Sequence, residues 1–562
     1  MLNIIKGESG SGKTTYITSL LANMVKSGEK NILYIVPDQS SFDTQRTFLD
    51  LLGPKDSLNI NVQGFTGLCD YIFSVNGSSG KIPLDDGGKA IIMSLAIDEC
   101  QEHLRLFSHT KNKYDLITLM LSAVSEYKTC NITSEKILET ASKIEDETLR
   151  TKLKETCLIR DTFDALVSES YVDPDDYITQ GYNSLLENNI FKDYIIALDS
   201  FSGFTNVELE FLSKLMVDAK DFYITVNTDS TNNNELFFTT ERTLNQLKKI
   251  ARDNDVKIAS PIVLAENHRF ETSELIPILK NVYRIEKTSL DQGTNNIILY
   301  ESKNKYTECD FVARNIRELI IDNDYTYQDI AVIYRQDNSY DGIIDSVFDK
   351  YNIPYFMDKE EDIFTKPLIK LVSSILETIN NSYQRENVLN ILKSGLMPFT
   401  SEEISLFENY ILMWDIKGSN FKNDFVDNPQ GLVSDFSDDD RKTLEIINKV
   451  RQGVINPLVD FQLKSKDTTA TTITKNLYNL LLNYNIPESI VSMCETLEES
   501  GNLPLSEEQR RLWEILMNIL DKMINLLSDK KLSLKEYTEL LMLQFNNSTI
   551  AFIPKAMDDV VV

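Results

Sequence analysis

Apolar residues recur along this chain with two different periods, and the switches between them outline its architecture. Leu2 to Ile5 form a short continuous apolar run, the pattern of a strand covered on both faces. In the next stretch, "TTYITSLLANMVK", Ile17, Leu20, Leu21, Met24 and Val25 return at spacings of three and four and predict one buried helix face. A second apolar run, "NILYIVP", follows at once. Strand, loop, helix and strand in that order make a crossover unit of a parallel sheet, so the loop after the first strand lies where such sheets bind phosphates.

Residues 85–185 change period. "GGKAIIMSLAIDECQEHLRLF" and "LITLMLSAVSEYKTC" predict a helical insertion. Continuous apolar runs return in "FKDYIIALDSFSGF" and "KDFYITVN", and "TDSTNNNE" reads as a loop. From about residue 290 a second strand–helix–strand pattern begins, with strands expected in "NNIILYES", "DIAVIYR" and "IPYFM" around a helix through "ECDFVARNIRELIID". Residues 366–545 read as helical, broken by an acidic loop from Val426 to Asp440. The expected organisation is a first lobe over 1–84, a helical insertion over 85–185, the first lobe again over 186–285, a second lobe over 286–375, its helical insertion over 376–545, and a return to the second lobe over 546–562. The apolar ending "NSTIAFIPKAMDDVVV" is expected to be a chain cut short of its natural length, with a docked terminal strand as the alternative.

Composition narrows the function. The apolar N-terminal run is too short for a signal peptide and no stretch is long and apolar enough to span a membrane, so a soluble cytoplasmic protein is expected. Six cysteines without a C-x-x-C pair and only three histidines argue against zinc, a disulfide framework, or an iron–sulfur cluster held by this chain alone. A net charge of −29 disfavours a surface that binds nucleic acid indiscriminately. It leaves room for a local basic groove or a partner chain that supplies positive charge.

The chemistry concentrates in "GESGSGKT", residues 7–14. Gly7, Gly10 and Gly12 let backbone N–H groups turn toward an anion, with Glu8, Ser9 and Ser11 completing the loop. Lys13 is placed to reach the β and γ phosphates of a nucleotide, Thr14 to offer its hydroxyl to Mg²⁺, and Thr15 follows in the first helical turn. Asp199, at the end of "YIIALDSF", is the candidate for the second ligand of the Mg²⁺ shell. The next residue is Ser200, which cannot act as a general base, and losing such a base costs about 10²- to 10⁴-fold. Slow turnover is therefore expected unless Glu208 or Glu210 substitutes. An active motor and a phosphotransferase are the alternatives.

These stretches, in order with "NILYIVPDQSSFDTQRTF", "NVQGFTGLCDYIF", "IIALDSFSGFTNVELEFLSKL", "LFENYILMWDIKGSNF" and "IPKAMDDVVV", resemble the B subunit of AddAB-type (RexAB-type) ATP-dependent helicase-nucleases, which process broken double-stranded DNA ends for recombination. The resemblance implies an α/β, superfamily 1 helicase-like body: two RecA-like parallel-sheet lobes, each with a helical insertion, the second lobe incomplete. It implies ATP and Mg²⁺ as ligands, Arg269 of "ENHRF" as a contact to the γ phosphate, and an A subunit as motor partner. It also implies contact with double- and single-stranded DNA, and hotspot recognition in place of translocation. Phe65 and Tyr71 are candidates to stack on unpaired bases, with a place in the core as the commoner role of such aromatics. Three departures stand out: no glutamine precedes the loop to read adenine, Ser200 stands where the family usually has glycine, and neither the nuclease domain nor the 4Fe-4S cluster carries over to this chain.

Overall fold

Leu2–Gly7 (β1) forms a strand because both its faces are covered: Leu2, Ile4 and Ile5 are fully buried. The computed structural model describes residues 1–77, 82–109, 113–228, 236–270, 274–281, 296–335, 339–357, 360–432, 436–551 and 558–562. After β1 come Ile32–Ile35 (β2), Ile60–Gln63 (β3), Ile195–Leu198 (β4), Asp221–Asn227 (β5) and Ile262–Leu264 (β6). They make one six-stranded sheet in the order β3-β2-β4-β5-β1-β6. Every pairing is parallel, with Leu2 opposite Phe222 and Ile5 opposite Ile262.

Helices cover both faces. Lys13–Lys26 (α1) and Ser41–Asp56 (α2) send Ile17, Leu21, Val25 and Phe48 against Ile5, Tyr34 and Ala197. On the opposite face, Phe65–Asn76 (α3) packs on Leu33, Ile196 and Ile224 together with three later helices, Tyr177–Glu187, Asn206–Asp218 and Phe238–Asp253. Burial of each such side chain stabilises by about 1.5–3 kcal/mol, which is why the strands read as unbroken apolar runs.

The chain forms two compact units, residues 1–84 with 96–298, and residues 85–95 with 299–562. Between residues 85 and 185 lie helices at Asp86–Cys100, Lys113–Thr129, Ser134–Lys143 and Glu147–Ser170, and the division between units falls within the first of them. Within the first unit the later helices are braced by buried charge. Lys128, 4% exposed, meets Asp173 at 2.6 Å, Asp176 at 2.7 Å and Asp164 at 2.8 Å. Burial alone would lower its pKa, but the three carboxylates hold the ammonium above the usual lysine range. Glu155 accepts the backbone N–H groups of Arg105, Leu106 and Phe107 and so pins the chain between two helices.

The second unit keeps few of its expected strands. From Asn296 the "NNIILYES" segment forms no strand and has no ladder partner among the described residues, and Leu299 is 98% exposed. Tyr300 is held by stacking on Phe311, with ring centroids 3.8 Å apart. "DIAVIYR" contributes a single parallel bridge, Ala331 to Val561, and Ile333 is 94% exposed. "IPYFM" yields Tyr355–Phe356 (β7), paired in parallel with Val560–Val561 (β8). The terminal valines are thus docked, and Val560 is fully buried beside Cys309, Ile316 and Phe348. A backbone with no neighbouring strand sends its polar groups to solvent instead of to a ladder, which is why apolarity alone did not make strands here.

The rest of this unit is mostly helical, from Pro367–Asn380 to Leu534–Asn546, with two short antiparallel pairs, Glu360–Asp362 with Thr549–Ala551 and Thr468–Thr469 with Lys531–Leu532. Between Val426 and Asp440, Asp427 N–H donates to the Tyr410 hydroxyl at 3.1 Å and Trp414 donates to the Asn428 carbonyl at 3.1 Å. The acidic stretch ends earlier than expected. Asp438, Asp439 and Asp440 form the first turn of a helix capped by Ser437, where carboxylates favour the positive end of the helix dipole. Residues 229–235 of "TDSTNNNE", 433–435 of the acidic loop and 552–557 of the terminal segment lie outside the described residues. Among the described residues no helix is long and apolar enough to cross a membrane.

Candidate nucleotide site

β1 ends at Gly7, and the chain turns through residues 8–12 before α1 begins at Lys13. Gly10 and Gly12 adopt φ of 83° and 78°, the left-handed region that side chains disfavour. Gly7 is constrained by space: a Cβ there would lie 2.2 Å from Ser11 Oγ and 2.8 Å from the Leu264 carbonyl. Ser11 is buried, and its hydroxyl has no hydrogen-bond partner among the described residues.

Sheet order brings the other groups to this loop. The Asp199 N–H donates to the Ile35 carbonyl at 3.1 Å, and the Thr228 N–H to the Gly7 carbonyl at 3.1 Å, so both ladders continue just past the strand ends. Asp199, 3% exposed, accepts from Thr14 Oγ1 at 2.7 Å and from Ser200 Oγ at 3.2 Å, while its other oxygen accepts from Thr225. Beneath it lies Tyr34, whose phenol is held far above its ordinary range by burial and by the Asp199 charge.

A cavity of about 380 Å³ opens at these strand ends, lined by Ser9, Gly10, Gly12, Lys13, Thr14 and Thr15 on one side and by Asp199, Ser200, Phe201, Thr225, Asn227, His268 and Arg269 on the other. Lys13 Nζ donates to the Glu8 carbonyl at 2.7 Å and the Gly7 carbonyl at 3.1 Å. Burial lowers the Lys13 pKa; the Asp199 charge opposes this and the Arg269 charge adds to it. An anion placed between the two cations would relieve both. Arg269 donates to Ser9 Oγ at 3.0 Å.

All ten predicted nucleotide residues therefore lie on the loop, at the start of α1 or on the turn that meets it, and Thr14 and Asp199 are directly paired. A hydroxyl and a carboxylate are hard oxygen donors of the kind Mg²⁺ takes. Among the described residues no three His, Cys, Asp or Glu side chains converge on one point. An ion held at Thr14 and Asp199 would draw its remaining ligands from phosphate and water.

The substitute bases do not reach the site. Glu208 is committed to a helix cap, accepting the Thr205 N–H at 2.7 Å, and Glu210 accepts from Asn131 at 3.1 Å; neither lines the cavity. Ser200 has φ of 68°, in the left-handed region that side chains disfavour. Phe65 is not free to stack on bases. It is 4% exposed and packs edge-on against Phe201, Phe204 and Phe211, while Tyr71 is half-buried against Phe191. Sequence reasoning missed Thr225, Asn227, Asn267 and His268. The first two end an apolar run, the signal that found Asp199, and the others sit in the same "ENHRF" as Arg269.

Two family models match the chain: one described as ADDB, N-terminal, over residues 4–279, and one described as UvrD-like helicase C-terminal domain, over residues 256–549. Similar curated proteins are named as the B subunit of an ATP-dependent helicase/deoxyribonuclease. That of Clostridium acetobutylicum is 29% identical, that of Clostridium botulinum (strain Langeland) 30% and that of Clostridioides difficile 29%, each over 100% of this chain and 50% of the relative. The chain thus spans about half the length of the curated relatives it matches. With an AddB N-terminal domain followed by a UvrD-like helicase C-terminal domain on an α/β helicase-like fold, the chain belongs to the family of B subunits of ATP-dependent helicase/deoxyribonucleases.

Proposed function

We propose that this chain binds Mg-ATP as a conformational ligand and contacts DNA within a helicase/nuclease that processes double-strand break ends in the cytoplasm, recognising a hotspot sequence while an A-type partner supplies the motor. The observation that carries this reading is the Thr14–Asp199 pair beside a serine in left-handed conformation: a place suited to phosphate and metal, with no second carboxylate to activate water among the described residues that line the cavity. Backbone N–H groups of residues 8–14 and the positive end of α1 hold the phosphates, and Lys13 and Arg269 neutralise them. The bound Mg²⁺ would screen phosphate charge. Thr14 and Asp199 would orient it, and Thr225 holds Asp199 in place from the other side.

A ligand that is not consumed can still set a conformational equilibrium, by as much as its affinities for two states differ. With a net charge of −29, this chain gains from a partner that brings positive charge to DNA. Nuclease activity and a 4Fe-4S cluster form no part of the proposal for these residues. The test is to assemble the chain with its A-type partner and measure affinity for tailed duplex ends with and without Mg-ATP, in wild type and Lys13→Ala. The reading expects nucleotide to change DNA affinity about tenfold, equivalent to ~1.4 kcal/mol, and expects Lys13→Ala to abolish the change. DNA affinity indifferent to both nucleotide and Lys13 would sink it.

A further inference from the structure

We propose that Asn267 is a positioning residue that fixes Arg269 against the phosphate loop and so makes the site prefer a triphosphate to a diphosphate; this rests on the nucleotide reading above. Asn267 is half-buried and uses both ends of its amide. Its Oδ1 accepts from the Arg269 N–H at 3.0 Å and the Phe270 N–H at 3.4 Å, closing a tight turn. Its Nδ2 donates across to the Ser9 carbonyl at 3.1 Å.

Two further hydrogen bonds run in parallel, from the His268 N–H to the Gly10 carbonyl at 2.8 Å and from Arg269 to Ser9 Oγ at 3.0 Å. The approach is close enough to dictate residue type on the loop. A Cβ on Gly10 would lie 2.8 Å from Arg269 Cβ and 2.9 Å from Asn267 Nδ2. Gly10 is therefore required by the turn as well as by its own φ of 83°.

Arg269 lines the same cavity as Lys13, Thr14 and Asp199, and its charge is felt at Lys13. Two cations that converge on one place mark where ligand charge is greatest, the terminal phosphate. Arg269 is exposed, and a long side chain on an exposed turn gives up rotamer freedom when it binds. Asn267 reduces that cost by fixing the backbone from which the guanidinium starts. A small amide suits the position because it combines an acceptor for N–H groups two and three residues ahead with a donor that reaches back to the loop.

The experiment is to measure dissociation constants for Mg-ATP and Mg-ADP on the full chain by titration calorimetry, in wild type, Asn267→Ala, Asn267→Ser, Arg269→Ala and the Asn267→Ala/Arg269→Ala double variant. Thermal melts identify any variant that fails to fold. The expected result is a wild-type preference for ATP that falls about tenfold in either alanine variant, the scale of one charge-assisted hydrogen bond, with ADP affinity nearly unchanged. The double variant should lose no more than Arg269→Ala alone, because the two residues act as one unit. Asn267→Ser, which keeps an acceptor for the turn, should retain most of the preference.

Equal losses for ATP and ADP in Asn267→Ala would overturn the proposal and leave the residue a structural contact. A wild type that binds both nucleotides without preference would overturn it as well. A wild type that binds neither would remove the nucleotide reading itself, a distinguishable failure.

Discussion

In the first unit Leu2–Gly7 lies between two parallel neighbours with Leu2, Ile4 and Ile5 fully buried, whereas in the second unit the run around Leu299 meets no ladder partner among the described residues and leaves that leucine 98% exposed. The two runs have similar composition but different surroundings. β1 gains a neighbour 220 positions away, since Asp221–Asn227 inserts beside it and Phe222 pairs with Leu2. That insertion also carries Thr225 and Asn227 to the cavity. The second unit instead draws its stability from helices, around fully buried Leu371, Tyr484, Leu512 and Tyr537. What makes a strand, and then a site, is the arrival of a neighbour.

Paired core deletions test this contrast most severely. Ile4→Ala should cost the first unit about 2–5 kcal/mol, and Ile333→Ala in the second unit less than about 0.5 kcal/mol. Both tryptophans, Trp414 and Trp513, belong to the second unit, so urea melts followed by tryptophan fluorescence and by far-UV circular dichroism read the units differently. Ile4→Ala should shift the dichroism transition and leave the fluorescence one in place. Equal shifts in both signals would mean that the two regions do not differ as described.

Next in size, Lys13→Ala should weaken Mg-ATP binding by about 100-fold, ~2.7 kcal/mol, measured by titration calorimetry, while leaving the fluorescence melt unchanged. A smaller effect should appear with pH. Because burial lowers the Lys13 pKa, the ammonium loses its proton below the range of an ordinary lysine, and ATP affinity should fall as pH rises through that window by at most about tenfold per unit. Stability should move the other way: the unfolded lysine holds its proton more tightly, so folding gains with pH over the same window. A Lys13→Arg variant should show neither slope. Smallest of all, Ser200→Gly should stabilise the first unit by about 1 kcal/mol by relieving a left-handed side chain, with no gain in ATP turnover.

The phosphate loop was legible in the sequence because its parts are consecutive: an apolar strand, three glycines, Lys13, Thr14 and an amphipathic helix. Asp199 was legible as the end of an apolar run. Thr225 and Asn227 end a similar run, but only the sheet order puts that end beside β1. Asn267 was hidden for another reason. Its role comes from an amide reaching Ser9, 258 positions earlier, which no local pattern records. Phe65, open in the sequence to either base stacking or the core, lies in the core, since an aromatic beside a glycine carries no sign of which face it takes. The second-unit strands failed for the complementary reason: apolarity measures a wish for burial and not the presence of a neighbour.

The central claim is that the loop holds a nucleotide that the site does not split, and it is tested most directly by equilibrium Mg-ATP binding alongside steady-state hydrolysis on wild type and Lys13→Ala, with and without duplex DNA ends. The account predicts binding that depends on Lys13 with negligible turnover in every condition. Brisk, DNA-stimulated turnover that is lost in Lys13→Ala would contradict it, because a base other than residue 200 would then have to be at work.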